Sequence, residues 1–243
     1  MPKIQLSVRR MMAFVAVLAL PMALMSLINQ GREAARESSC KGQLFQYGFA
    51  LHNYVEANGH LPSAFVTDNA GTPTHSWRLS FLSSAWAEHP VNALCDLTVP
   101  WDHPNNAASR AYDSLGGFFF WCPSGDGRRT KSTSYVAVVG PETAWPDRTG
   151  RKLSEITDDP ASTILVLEIA HSGIHWMEPK DLALDDLLAA GLSSNHALHI
   201  NALFADFQVR RVRKNLPRET LRSLLTINGG EQIDPKNWEY SKH

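Results

Sequence analysis

The sequence predicts an α+β fold in which one long N-terminal helix packs on an antiparallel β-sheet. The first observation is the stretch Met11–Gly59, which has helical character without an obvious break; its first third is apolar and the rest is amphipathic. The second is that strand-forming segments dominate after residue 118 and are separated by short turns and helices. A helix followed by mostly antiparallel strands is typical of the α+β class.

The beginning of the long helix predicts a membrane-spanning segment at residues 11–28. These eighteen residues carry no charge. As a helix they would extend about 27 Å, close to the roughly 30 Å of a bilayer's hydrocarbon core. Basic residues precede the segment and no acidic residue does, so the positive-inside rule places residues 1–10 in the cytoplasm. Residues 29–243 are then expected to form a single exported domain, anchored to the inner (cytoplasmic) membrane.

Two alternatives to a permanent anchor stay open. A cleaved signal peptide would use Met1–Arg10 as its basic region and Met11–Met25 as its apolar region, although no clean A-x-A cleavage site is visible. The apolar stretch could also be a helix buried in a soluble protein, because its length is near the lower limit for a membrane span.

The second part of the long helix has one apolar face. Its apolar residues recur in steps of three and four, which is the spacing of one helical stripe. They are Cys40, Leu44, Tyr47, Leu51, Tyr54 and Val55. Glu37 and Lys41 are predicted to form an i,i+4 pair on another face. Gly59 suits the C-terminal cap and Pro62 prevents continuation, so the helix should end there.

Short elements and loops follow the long helix. Residues 60–76 and 87–116 are predicted to be loops, on either side of a short helix at Trp77–Trp86. Strands are predicted at Phe118–Cys122, Thr133–Val139 and Thr163–Ile169, a helix at Lys180–Ala190, a hairpin at Leu198–Phe204 and Gln208–Val212, and a last helix at Pro217–Ile227. This order predicts one sheet on which the apolar stripe packs.

Composition and motifs argue against several classes of function. The net charge is −1, and the basic cluster at residues 210–214 is short and has no aromatic interleaving, so nucleic acid is not an expected partner. We interpret that cluster as a solvated strand edge. The sequence has no G-x-S-x-G, no P-loop and no G-x-G-x-x-G. We therefore predict a protein that is not an enzyme and has no cofactor.

The chain resembles a bacterial family along almost its whole length beyond residue 30. The matching pieces are Arg32-Glu33-Ala34-Ala35-Arg36, Leu51-His52-Asn53-Tyr54, Pro100-Trp101-Asp102, Cys122-Pro123-Ser124, Thr133-Ser134-Tyr135, and His196 with Asp206 ten positions on. Their order and spacing resemble prepilin-like exported proteins of unknown function that carry a C-terminal H-x9-DG motif. The resemblance implies a pilin-like architecture, possible envelope partners in a secretion or pilus-type assembly, and no enzyme activity.

The chain departs from this family at two places. Residues 1–12 contain neither the Gly nor the Glu of a prepilin signal, and Phe207 stands where the family has Gly. A glycine there would suit a turn residue with positive φ, so Phe207 implies a different or a strained turn.

The resemblance also implies a disulfide. Cys40 on the helix and Cys122 at the end of a strand match family positions, whereas Cys95 does not. We predict a Cys40–Cys122 bond that ties the helix to the sheet, because export makes disulfides permissible. Two buried free thiols are the alternative.

The H-x9-DG motif residues are His196 and Asp206, which flank the first strand of the predicted hairpin. A structural role is expected: Asp206 would accept backbone N–H groups in the turn, and His196 would donate to that turn or to Asp206. The functional alternative is a metal or ligand site in which His199 takes part.

A second histidine group, His171 and His175 beside Glu168 and Glu178, has spacing that a metal could use. Gly173 and the strand-to-loop setting remove the helical face on which such spacing usually depends. We therefore predict no metal ligand in this sequence.

The alternative function is an anchored module that binds an extracellular solute or polysaccharide. Seven tryptophans are many for this length, and several fall in loops where they could stack on sugars. The candidate binding residues are Trp101, Asn105, Asn106 and Trp176. The competing interpretation is that these tryptophans are core residues, because Trp is mostly buried in proteins.

Overall fold

The computed structural model describes residues 8–80, 95–111, 114–115, 118–146 and 148–241. The long helix, α1, runs from Val8 to Asn58 and includes Pro21. Gly59 follows it with a φ of +77°, and its N–H donates to the carbonyl of Val55 at 2.7 Å. A glycine in this left-handed conformation is a common way to end a helix. The predicted helix Met11–Gly59 is thus confirmed.

The two parts of α1 have different surroundings. The described side chains between Met12 and Ile28 are exposed, whereas Cys40, Leu44 and Leu51 are fully buried. The predicted apolar stripe is therefore the packed face, with Tyr54 only half-buried at its end. Within the residues that the structure describes, no helix combines the length and the apolarity needed to cross a membrane.

A four-stranded sheet lies against the second part of α1. Its strands are β5 (Tyr135–Val136), β7 (Ile164–Glu168), β9 (His199–Phe204) and β10 (Val209–Arg213). They lie in the order β10-β9-β7-β5, and every neighbouring pair is antiparallel. The predicted α+β class and the predicted hairpin, now β9–β10, are both confirmed.

The remaining strands form two-stranded sheets. These are β1 (Phe65–Thr67) with β2 (Pro73–Ser76), β3 (Ser114–Leu115) with β4 (Phe118–Phe119), and β6 (Val138–Val139) with β8 (Leu182–Ala183). The first two pairs are antiparallel, whereas β6 and β8 run parallel.

The helices after α1 that lie wholly within the described residues are short. They are Ala107–Ala111, Gly127–Thr130, Leu184–Ala190 and Arg218–Leu225, with single 3-10 turns at Pro104–Asn106, Leu153–Glu155, Pro160–Ser162 and Pro235–Asn237. A helix also begins at Trp77, and its described part reaches Ser80. The rest of the helix predicted at Trp77–Trp86 lies outside the described residues.

Three predicted elements are shorter in the structure, and two of them have a visible cause. The strand predicted at Thr133–Val139 is divided at Ala137, whose N–H donates to the carboxylate of Asp181 at 2.8 Å instead of continuing one ladder. The helix predicted at Lys180–Ala190 begins only at Leu184 because β8 occupies residues 182–183. The strand predicted at Phe118–Cys122 is β4 alone.

The core lies on both faces of the central sheet because strand side chains alternate. On β9, Ile200, Ala202 and Phe204 pack with the helices Leu184–Ala190 and Arg218–Leu225. Leu203 packs on the other face, with Leu44 and Leu51 of α1. His199 and Asn201 share the parity of Leu203, so they lie on the face that meets α1.

Candidate functional site

Polar side chains gather at one end of the interface between α1 and the central sheet. We call this group the carboxylate–imidazole cluster; it consists of Glu33, Glu37, Glu168, His196, His199 and Arg211. The first two lie at i and i+4 on α1, and Cys40 follows at i+7, so all three share one helix face. Glu168 ends β7, and His199 begins β9 on the same sheet face. Helix and strand periodicity thus places these residues on facing surfaces, while His196 joins them from the loop before β9.

The cluster is bounded by a disulfide. Cys40 on α1 and Cys122, which lies after β4, are bonded, and both residues are fully buried. The Cys40–Cys122 bond predicted from the resemblance is confirmed, and Cys95 is the free cysteine. The bond fixes α1 against the sheet beside the polar cluster.

His196 lies at the centre of the cluster. Its Nε2 atom is 3.0 Å from Oε1 of Glu168 and 3.6 Å from Sγ of Cys122. Its Nδ1 atom is 3.6 Å from Oε1 of Glu33. Glu168 is fully buried, and its other oxygen accepts a hydrogen bond from Nδ2 of Asn201 at 2.6 Å. A buried carboxylate is therefore held between an imidazole and an amide.

His199 forms the second half of the cluster. Its Nε2 atom is 3.2 Å from Oε1 of Glu37, and the guanidinium of Arg211 approaches the same oxygen at 2.6 Å. The His199 ring stacks on His196 and on Tyr240, with ring centroids 5.4 Å and 5.0 Å apart. His196 and His199, which the sequence analysis considered together for a ligand site, therefore lie side by side.

The two imidazoles have opposite pKa shifts. Burial alone would lower the pKa of His196, but its contact with Glu168 and the charges of Glu168, Glu37 and Glu33 outweigh burial and raise that pKa above its ordinary value. His196 therefore binds a proton more readily than a free imidazole does.

For His199 the balance is reversed. Burial lowers its pKa, and the nearby charges of His196 and Arg211 act in the same direction, while the carboxylates of Glu37 and Glu168 only partly oppose them. Relative to a free imidazole, protonation is thus favoured at His196 and disfavoured at His199.

Two members of the cluster and the two disulfide cysteines carry atoms that can bind a metal. Cys40, Cys122, Glu168 and His196 each place one possible ligand atom within 4.8 Å of the others, and all four are buried. In the disulfide form the sulfurs are bonded to each other, so neither is a thiolate ligand.

The structure separates the two motif residues. Asp206 lies in the β9–β10 turn, where it accepts the N–H of Gln208 at 3.1 Å and pairs with Arg210 at 2.6 Å. Burial raises the pKa of Asp206, but the contacts with Arg210 and the Gln208 N–H lower it more, so the net shift is downward. His196 contacts Glu168 and not this turn.

The candidate binding residues are divided between surface and interior. Trp176 is buried and stacks on Phe120 with centroids 4.2 Å apart. Asn106 is buried and donates to the carbonyls of Asp96 and Pro100, which shapes the loop.

The other two candidates remain accessible. Asn105 is exposed and donates to the Asp96 carboxylate, while Trp101 is half-buried and stacks on His175 at 5.0 Å. The hydrogen bonds from Thr98 and Asn105 lower the pKa of Asp96 to about 2. Burial of Trp176 and Asn106 leaves Trp101 and Asn105 as the accessible members of the set.

The histidine group considered for a metal is dispersed. His171 lies 3.2 Å from Asp126, whereas His175 stacks on Trp101. Glu178 accepts the backbone N–H of His175 at 3.1 Å. Glu168, the fourth residue of that group, lies instead in the carboxylate–imidazole cluster.

Comparison with known proteins places the chain in a family. The fold and the cross-linked helix define an α+β protein built on one long N-terminal helix. Residues 29–169, more than half of the chain, match the family described as protein of unknown function DUF1559 (SBP_bac_10). The chain belongs to this family. No curated protein and no solved structure matches it.

Proposed function

We propose that the protein is a non-enzymatic, membrane-anchored, pilin-like protein of the bacterial envelope, associated with a secretion or pilus-type assembly. The observation that carries this proposal is the contrast along α1. Its first part is apolar and projects without packing on the described residues of the domain, while its second part is built into the core.

The exposed part of α1 needs an apolar environment. Its large exposed side chains include Met12, Val15, Val17, Leu18, Leu20, Met22, Leu24, Met25, Leu27 and Ile28. Burying one such side chain is worth about 1.5–3 kcal/mol, so leaving the whole set in water is costly. Exposure is spread all round the helix and not confined to one face, which favours a lipid surrounding over a single protein groove.

The disulfide supports export of the domain. Disulfides persist in oxidising compartments and are rare in the cytosol. The basic residues before the apolar segment give the same orientation, with the N-terminus inside and the domain outside. The anchor and the exported domain are thus supported by independent features.

The pilin-like part of the proposal rests on two supports. One is the architecture, a long helix whose second part packs on an antiparallel sheet. The other is the sequence resemblance to prepilin-like exported proteins. Association with a secretion or pilus-type assembly depends on that resemblance.

The anchor is tested by alkaline extraction of membranes from cells that make the full chain. We expect the wild-type protein to resist extraction and the Leu18→Arg/Leu24→Arg variant to be released, because each Arg near a bilayer centre costs about 2.5–3.5 kcal/mol. Phe45→Arg/Phe49→Arg is the matched control, since both phenylalanines are exposed on α1 outside the apolar segment. Release of wild type, or equal release of both variants, would contradict the anchor.

Two further measurements complete the test. The intact mass of the membrane-isolated protein should correspond to a chain that begins at or near Met1; a start after residue 28 would instead show a cleaved signal peptide.

Envelope-spanning assembly components should co-purify with wild type after cross-linking. Their absence under conditions that preserve a known pilus or secretion complex would count against the assembly role.

A further inference from the structure

Four potential ligand atoms converge where α1 meets the sheet. Cys40 comes from α1, Cys122 from the segment after β4, Glu168 from the end of β7, and His196 from the loop before β9. Their ligand atoms lie within 4.8 Å of one another and all four residues are buried. Four donors from four separate segments, two sulfurs among them, form an unusual group for a protein interior.

We propose that, when the Cys40–Cys122 disulfide is reduced, these four residues bind one Zn²⁺ ion in a tetrahedral Cys₂–His–Glu site. A phosphine and one water convert the disulfide to two thiols and the phosphine to its oxide. Zn²⁺ then takes the place of the two thiol protons and of the proton on the metal-facing nitrogen of His196, and these protons pass to water. The metal is not oxidised or reduced.

Two of the present distances are close to those of such a site. Around one tetrahedral Zn²⁺, neighbouring ligand atoms lie about 3.3–3.8 Å apart, given bond lengths of about 2.0–2.3 Å. Nε2 of His196 is 3.0 Å from Oε1 of Glu168 and 3.6 Å from Sγ of Cys122. Once the sulfurs are no longer bonded to each other, small side-chain movements place four ligands around one centre.

The surrounding polar contacts are of the kind that orients metal ligands. The second nitrogen of His196, Nδ1, faces the carboxylate of Glu33 at 3.6 Å. Glu33 is itself held by the hydroxyl of Ser124 at 2.7 Å. Nδ2 of Asn201 donates to the outer oxygen of Glu168 at 2.6 Å, which leaves the other oxygen toward the centre. Carboxylate–histidine and amide–carboxylate contacts of this kind commonly support zinc sites.

The charges and the donor types favour Zn²⁺ over harder cations. Two thiolates and an imidazole suit Zn²⁺, whereas Ca²⁺ and Mg²⁺ prefer oxygen donors alone. Three carboxylates, those of Glu33, Glu37 and Glu168, lie in the cluster. Two guanidinium groups face them, that of Arg211 at Glu37 and that of Arg36 at Glu33. A divalent cation offsets this excess of negative charge after the thiols lose their protons.

The test uses the full chain in detergent micelles, in a Cys95→Ser background that removes the third thiol. Co²⁺ is the probe because tetrahedral cobalt–thiolate sites give intense visible bands and a sulfur-to-metal charge-transfer band. We expect one Co²⁺ per phosphine-reduced chain, displaced by one equivalent of Zn²⁺, and no such bands for the oxidised chain.

Variants assign the ligands. Glu168→Gln and His196→Gln should each weaken Co²⁺ binding at least about 10-fold, and Glu33→Gln about 10-fold through the orientation of His196. Cys40→Ser/Cys122→Ser should lose the charge-transfer band. His171→Gln is the matched control, because this histidine is exposed and contacts only Asp126 among the groups described above; its affinity should stay unchanged.

If the reduced chain stays folded, two outcomes would overturn the proposal. One is binding by the reduced chain that is no tighter than binding by Cys40→Ser/Cys122→Ser. The other is a Co²⁺ affinity that neither Glu168→Gln nor His196→Gln changes, which would mean that the two cysteines bind the metal alone. If reduction unfolds the chain, near-ultraviolet circular dichroism decides: recovery of the folded spectrum with Zn²⁺ supports the site, and no recovery refutes it.

Discussion

Phe207 shows how a single residue can keep a costly backbone conformation. It lies in the β9–β10 turn with a φ of +58°, in the left-handed region that non-glycine residues seldom adopt. Its ring meets His52 of α1 edge-on, with centroids 5.0 Å apart. The departure from glycine noted in the sequence therefore gives a strained turn and, in return, a contact between hairpin and helix.

Two substitutions at this position separate strain from contact. Phe207→Gly and Phe207→Ala both remove the ring. Only alanine, which has a Cβ atom, keeps the free-energy cost of a positive φ. We expect the glycine variant to be more stable than the alanine variant by about 1 kcal/mol. Urea unfolding of both variants measures the difference. An alanine variant as stable as the glycine variant would show that the turn relaxes to a negative φ.

His175 is a residue whose titration should destabilise the fold in acid. Burial lowers the pKa of His175 to about 4, helped by the charges of Arg110, Lys131 and Arg78. A histidine with a lowered pKa stabilises the fold above its unfolded pKa of about 6.5, and this contribution is lost as pH falls through the folded value. Wild type should therefore lose stability between about pH 6.5 and pH 4.

The variant His175→Gln isolates this effect because every other titrating group is retained. We expect the stability lost between pH 6.5 and pH 4 to be smaller in the variant by about 1 kcal/mol, after allowance for screening of a partly exposed ring. Denaturant unfolding across this range measures it, with the exposed His171→Gln as control. A pH dependence identical to wild type would contradict the assignment.

At the scale of elements, sequence periodicity predicted the features that depend on residues close together in the chain. The stripe from Cys40 to Val55 gave the packed face of α1, and the hairpin was predicted because two strand-forming runs flank a short turn. Glu37 was expected to pair with Lys41 on the same helix. It contacts Arg211 and His199 of the sheet instead.

The missed features depend on residues that are distant in sequence. The division of the strand at Ala137 is caused by Asp181, and the carboxylate–imidazole cluster joins α1 to the ends of β7 and β9. His196 and His199 were recognised as candidates, but no local pattern pairs them with Glu33 or Glu168. A glutamate near the end of an apolar strand was the available clue to a buried carboxylate.

The disulfide is a covalent link between α1 and the segment after β4. It closes a loop whose ends are 82 residues apart. In the chain-entropy model such a bond stabilises the folded state by about 4 kcal/mol. Cys40→Ala/Cys122→Ala should lose about this much, measured by denaturant unfolding in the presence of a chelator. Cys95→Ser is the control and should change stability by less than about 1 kcal/mol, and a similar loss in both would contradict this account.

At the scale of the whole molecule, one helix belongs to two environments. The part of α1 that carries Cys40, Leu44 and Leu51 shares the main core. The part before residue 29 has exposed apolar side chains. The free energy of local unfolding should therefore differ between the two parts, because it depends on buried contacts, and amide protection should follow it.

Hydrogen exchange read by mass spectrometry measures that difference. In detergent micelles we expect both parts of α1 to be protected. On dilution below the micellar concentration, residues 8–28 should exchange at least about 10-fold faster, while residues 40–55 keep the protection of the domain. Equal loss of protection in both parts would show that α1 is not held independently by the core.

The position of the Cys40–Cys122 bond also determines how tension passes through the molecule. A pull on the N-terminal end of α1 reaches Cys40 first and crosses the bond directly to Cys122. The chain between them lies off the load path and remains folded or slack behind the covalent bridge. At about 3.5 Å per extended residue, the disulfide prevents roughly 280 Å of the chain from extending under force. A protein tethered by this helix would therefore extend little under force while the disulfide is intact. After reduction it would extend much further.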